Sequence, residues 1–117
     1  MVRGKIVLVS FPFDDLSEEK IRPVLCLTEF IGPHKHILVA FITSKVKEEI
    51  LDTDILINKD DKGFKDTGLS VSSKIQLHRI MTISSSAIKR ELGYVDEDVK
   101  AKVSSKLKSL FWENPVQ

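Results

Sequence analysis

Apolar side chains fall in short, β-branched runs over the first two-thirds of the chain and then change period. Lys5 to Phe11 is rich in Val, Ile and Leu and is stopped by Pro12, and Pro23 to Thr28 and His36 to Thr43 repeat the pattern. Each run has the length of a strand and too many branched residues for an easy helix. The polar loop Asp14 to Lys20 separates the first two runs and the turn former Gly32-Pro33 the next two, spacings that suit antiparallel neighbours. Thr53 to Ile57 predicts a shorter strand. Asn58 to Thr67 predicts a loop, signalled by Asp60, Asp61, Gly63 and the following Gly68, and Leu69 to Val71 and Ile75 to Ile83 predict further strands. The order reads as a mainly β domain, a meander closing on itself so that few strand edges stay exposed.

From Asp96 onward, Val99, Val103, Leu107 and Leu110 recur at helical spacing and share one face. Asp96 is the expected N-cap, Glu97 and Asp98 suit the first turn, and Pro115 lies past the end. Phe111 and Trp112 are expected to pack against the barrel, because a helix of this size usually buries its largest apolar groups. Lys100, Lys102, Lys106 and Lys108 then form a solvated face rather than a nucleic-acid stripe. A shorter helical stretch is expected over Ser84 to Leu92, ended by Gly93.

A chain of 117 residues fits one domain over 1–117 and can bury a core unaided. With 42% hydrophobic and 30% charged residues, it is neither disordered nor membrane-embedded in character. Eighteen Lys and Arg against seventeen Asp and Glu leave +1, so any polyanion site must be a local patch. The single cysteine, Cys26, lies in an apolar run and reads as a small buried hydrophobe in a reducing compartment. No signal peptide and no membrane-length apolar run are seen, which gives a cytoplasmic expectation.

The sequence has no GxGxxG, Walker-type loop, HExxH, CxxC or GxSxG, so dinucleotide, nucleotide, zinc and α/β-hydrolase readings lose support. His34 and His36 alternate, but no third metal ligand accompanies them at sensible spacing, and Gly32-Pro33 points to a solvated turn. What remains are polar residues at strand ends. Arg22 stands before Pro23, which biases it towards an extended conformation and fixes its side-chain direction. Thr43 and Ser44 close the run from Ile37, and Lys45 follows, so two hydroxyls and an ammonium project where that strand leaves the sheet.

The strings SFPFDDLSEEKIRPVLCL, ILVAFITSK, TGLSVSSKIQLHRIMTIS and IKRELGYVDEDVKAKV, in that order and across nearly the whole chain, resemble the MazF/PemK family of toxin–antitoxin ribonucleases. The resemblance implies an SH3-like barrel with appended helices, a homodimer, and a cognate antitoxin whose tail lies across the RNA site. It implies cleavage of single-stranded RNA without a metal or other cofactor. The arginine of the family's RP motif and the threonine closing its third strand match Arg22 and Thr43, the expected catalytic pair. Around them Lys20, Ser44, Lys45, His78 and Arg79 are the residues expected to contact RNA, although a lone histidine such as His78 also reads as a solvated strand residue.

Attack by the neighbouring ribose 2′-hydroxyl needs no external nucleophile, and a planar, permanently charged guanidinium is suited to the charge that builds on phosphorus. Arg22 would clamp the phosphate and Thr43 would hydrogen-bond one of its oxygens, leaving a 2′,3′-cyclic phosphate and a 5′-hydroxyl. Three departures from the family pattern matter. Ile21 replaces a frequent second arginine, Asp14, Asp15, Glu18 and Glu19 make the loop acidic, and Met81 stands where relatives often carry a base. The same barrel also serves CcdB-like toxins that bind gyrase and cleave nothing, so a non-catalytic toxin or binding module, a gyrase poison or a DNA-binding regulator, is the alternative.

Overall fold

The computed structural model describes residues 1–12 and 19–113, and six strands form one antiparallel sheet there. They are β1 (Lys5–Pro12), β2 (Glu19–Cys26), β3 (His36–Thr43), β4 (Asp54–Ile57), β5 (Ser73–Ser84) and β6 (Ile88–Tyr94), in the order β4-β5-β3-β2-β1-β6. Phe13, Asp14, Asp15, Glu18 and Pro115 lie outside the described residues.

The first three strands are the expected neighbours. Beyond them a simple meander fails, since β5 rather than β4 lies beside β3 and the chain returns to pair β6 with β1. Segment 84–92, expected to be helical, is a single 3-10 turn at Ser85–Ala87 followed by β6. Lys89, Arg90, Glu91 and Leu92 favour helix on their own, but the open edge of β1 offers a ladder, and tertiary pairing overrides weak local preference. Strand β2 starts at Glu19, four residues before the expected Pro23, because the hairpin ladder with β1 runs on to Glu19↔Pro12.

Alternation sorts the apolar side chains onto two faces. Ile6, Leu25, Ala40, Ile42, Ile75 and Leu77 build one core, and Val7, Val9, Phe11, Val24, Val39 and Ile83 the other. The first is covered by the helix α2 (Glu97–Lys108) through Val99, Val103 and Leu107. Its start is as expected: Asp96 caps it by accepting from the Val99 N–H at 2.9 Å, with Glu97 and Asp98 in the first turn. Two of its lysines make local ion pairs, Lys100 with Glu97 and Lys108 with Glu113, and Lys106 reaches across to the Asp52 carbonyl. Phe111 and Trp112 do not pack as expected, being 59% and 86% exposed. They fall in a π-helical turn, Ser109–Glu113, whose wider spacing carries them off the stripe that ends at Leu107.

One short helix was not expected, α1 (Phe64–Thr67), which packs against β6. The approach is so close that a Cβ on Gly68 would lie 2.1 Å from the Leu92 carbonyl, and one on Gly93 2.1 Å from the Asp66 carbonyl. Gly93 is therefore a contact point between two backbones rather than a helix stop. Leu69 to Val71 forms no strand, because side-chain hydrogen bonds hold a turn there, from the Leu69 N–H to Thr67 and from the Ser73 hydroxyl to the Val71 carbonyl.

Strand β5 shifts its register on β3 partway. Ala40 of β3 pairs with Ile80 but the next residue, Phe41, pairs with Gln76, so Leu77, His78 and Arg79 form a bulge. Bulges redirect side chains. Here the step inverts the alternation: Ile75 and Leu77 enter the first core, whereas Ile83, of the same parity, enters the second.

Candidate nucleic-acid interface

The register of β2 and β3 decides which polar side chains can meet. Val24 lies opposite Phe41, so Arg22, two residues before the one, and Thr43, two residues after the other, project from the same face. The β5 bulge brings Arg79 to that face, where its guanidinium sits over the Phe41 ring at 4.5 Å from the centroid. Phe41 in turn packs on Phe11, with ring centroids 5.2 Å apart. The result is a cleft of about 260 Å³ whose floor is Phe11, Phe41 and Ile42 and whose walls are Arg22, Thr43, Lys45, Glu48, Gln76 and Arg79.

The Thr43 hydroxyl accepts from the Lys45 N–H at 3.2 Å, which leaves its own hydrogen available to an acceptor in the cleft. Arg79 donates to the Gln76 side-chain oxygen at 3.2 Å. Arg22 is exposed, and among the described residues its side chain makes no hydrogen bond or ion pair. Three permanent or near-permanent cations around one hydroxyl make a site for an oxyanion.

Loop 44–53, which carries Lys45 and Glu48, is held from beneath by a buried ion pair. Lys74 Nζ lies 3.3 Å from Asp54 Oδ2, with the side chains 3% and 1% exposed. Lys74 also donates to the Glu49 carbonyl at 3.0 Å, and Asp54 accepts from the Leu51 N–H at 2.9 Å. Lys74 is the register partner of Thr43, so the pair anchors the loop directly behind the cleft.

Of the seven residues singled out from sequence, Arg22, Thr43, Lys45 and Arg79 line this cleft. Lys20, Ser44 and His78 do not. Lys20 lies in β2 opposite Phe11, two residues from Arg22, and Ser44 is exposed just past Thr43. The His78 ring is engaged elsewhere, its Nδ1 2.9 Å from the Thr53 hydroxyl. Sequence reasoning missed Gln76 and Glu48, and no local motif marks either. Cys26 is no nucleophile: burial, then the nearby charges of Glu29 and Glu91, push its thiol up to about 11.

The architecture is thus a mainly β domain with a six-stranded antiparallel sheet, a C-terminal amphipathic helix and a cleft bearing three cationic side chains at the ends of its central strands. The PemK-like, MazF-like toxin family of type II toxin–antitoxin systems matches residues 2–111, and the chain belongs to that family. Among solved structures, it is similar to the Mycobacterium tuberculosis toxin MazF-mt6, with 26% identity over 92% of this chain and 95% of the other, at a TM-score of 0.69. MazE–MazF from Deinococcus radiodurans shares the fold at 21% identity, covering 94% of each chain, with a TM-score of 0.73. So does an endoribonuclease in complex with its cognate antitoxin from a mycobacterial species, at 13% identity over 100% of this chain and 99% of the other, TM-score 0.69. No curated protein matches significantly by sequence. Among the described residues no helix is long and apolar enough to cross a membrane.

Proposed function

We propose that this protein is an endoribonuclease that cuts single-stranded RNA by attack of a ribose 2′-hydroxyl on the adjacent phosphorus, and that a cognate antitoxin restrains it. The observation that carries this reading is the presence of Arg22, Thr43, Lys45 and Arg79 on one cleft of about 260 Å³. The 2′-oxygen forms a bond to phosphorus and the bond to the 5′-oxygen breaks, so the products are a 2′,3′-cyclic phosphate and a 5′-hydroxyl. Arg22 supplies charge where the phosphorane gains it, and the free Thr43 hydrogen serves a non-bridging oxygen. These groups hold sugar and phosphate in line, and no step requires a metal ion.

The same cleft suits an acidic peptide, which would compete for the phosphate positions. Solved relatives bound to their antitoxins support that partner for this chain. The active form is a homodimer, burying on the order of 1,500 Å² or more in total.

The test is incubation of purified protein with a mixed-sequence RNA in EDTA, followed by mapping of the product ends. Cyclic phosphate and 5′-hydroxyl ends that vanish for Arg22→Ala are expected. Intact RNA, or products that appear only with added divalent metal, would refute the reading.

A further inference from the structure

Attack by a 2′-hydroxyl releases a proton, and the cleft contains few groups able to take it. A guanidinium remains protonated throughout the working range, which removes Arg22 and Arg79. An ammonium has no lone pair to accept a proton, and a threonine hydroxyl and a carboxamide are weak bases, which removes Lys45, Thr43 and Gln76. His78, the natural sequence candidate for proton transfer, is turned to Thr53 and does not line the cleft. Among the described residues one wall residue is left, the carboxylate of Glu48.

A negative charge beside a phosphate site opposes binding of the substrate, so its presence among three cations needs a compensating role. Its placement is also fixed. The carbonyl of the adjacent Glu49 is gripped by the buried Lys74, and the Leu51 N–H by Asp54, so the loop presenting Glu48 is tied to the core on the far side of that residue. On the near side the loop is tied by the bonds from Lys45 N–H to Thr43 and from Val46 N–H to the Ser44 carbonyl.

We infer that Glu48 is the general base of the reaction, a role that rests on the ribonuclease reading above. Its carboxylate takes the 2′-hydroxyl proton as the 2′-oxygen bonds to phosphorus. The departing 5′-oxygen takes its proton from water, and Glu48 later returns its own proton to solvent. Arg22 from β2, Lys45 from the same loop and Arg79 from the β5 bulge are the charged groups that line the cleft with it among the described residues.

The experiment compares wild type, Glu48→Gln, Glu48→Asp and Arg22→Ala on one RNA, with kcat and KM measured from acid to neutral pH. Glu48 is exposed, so Glu48→Gln should keep the wild-type melting temperature. Its kcat should fall about a hundredfold or more with KM unchanged or lower, Glu48→Asp should retain part of the rate, and the fall of kcat towards acid pH should flatten in Glu48→Gln. A substrate with sulfur in place of the bridging 5′-oxygen leaves without protonation. The Glu48→Gln defect should persist on it, because the base acts on the 2′-hydroxyl. Restored cleavage of the thio substrate would make Glu48 the acid and overturn the assignment. So would Glu48→Gln cleaving at the wild-type rate while Arg22→Ala is inactive, an outcome that leaves the ribonuclease reading intact. Failure of the wild type to cleave at all refutes both.

Discussion

Lys74→Met should be among the most damaging single substitutions in this chain. The change removes the Nζ that stands 3.3 Å from Asp54 and 3.0 Å from the Glu49 carbonyl, and it leaves a carboxylate 1% exposed. Asp54 Oδ1 already has no hydrogen-bond partner among the described residues, so no second donor can take over. Breaking a buried pair from one side costs about 3–5 kcal/mol, against a total stability of roughly 6–17 kcal/mol for a chain of this length. Thermal unfolding should fall by about 12–20 °C, at roughly 4 °C per kcal/mol. Urea denaturation read by Trp112 fluorescence alone would be a poor probe, since that ring is exposed, so circular dichroism should accompany it. The double change Lys74→Met with Asp54→Leu removes both charges and should recover most of the loss, all but about 1 kcal/mol for the Leu51 N–H left without its acceptor. A single variant that loses less than 1 kcal/mol, or a double variant no better than the single, would show that the pair does not hold the loop as argued.

Arg22→Ala should lower the cleavage rate a hundredfold or more, about 2.7 kcal/mol of barrier, and Arg22→Lys should recover little because the two-pronged geometry is lost; single-turnover kinetics measure both. Thr43→Ser should remain near wild type and Thr43→Ala fall by a smaller factor than Arg22→Ala, in the same assay. Gly93→Ala should destabilise by roughly 1–3 kcal/mol or more in urea titrations, because the added methyl meets the Asp66 carbonyl backbone. Cys26, its thiol raised to about 11, should resist alkylation at pH 8 in native protein and react promptly in urea; the raised value also means that stability is complete below the ordinary thiol range and declines as pH rises from there towards 11. Glu29 is held below the usual carboxylate range by the Val2 N–H, so its tie to the N-terminal residues should be intact above that range and released as pH falls through the lowered value, visible as faster Val2 amide exchange in acid.

Strands announced by continuous branched runs were legible, and β3 came out with the predicted bounds because Ile37 to Ile42 has no competing use. The cap of α2 was legible for the same reason, a local hydrogen bond from Asp96 that any context permits. Strand β6 was not, since Lys89 to Leu92 takes its conformation from the unpaired edge of β1, about 80 residues away in the chain. In the cleft, proline and a strand end constrain Arg22 and Thr43 locally, but both are ordinary surface choices, and it is the resemblance to the MazF/PemK motifs that singled them out. Arg79 joins them only through a bulge whose register depends on β3, and Glu48 is an ordinary acidic loop residue until the loop is tied down.

The bulge at Leu77–Arg79 also limits how this molecule can diverge. Because the step inverts which side chains of β5 face each core, deleting or inserting one residue there would turn Ile83 to the wrong side of the sheet. The segment that delivers Arg79 is therefore locked in length, and descendants can alter it only by exchanging side chains. Loop 44–53 is outside the sheet ladder, yet its length is held too, because Lys45 and Glu48 reach the cleft only while Thr43, Glu49 and Leu51 keep their bonds. New substrate preferences should therefore accumulate through exchanges of exposed side chains in that loop, while the β5 bulge keeps its three residues.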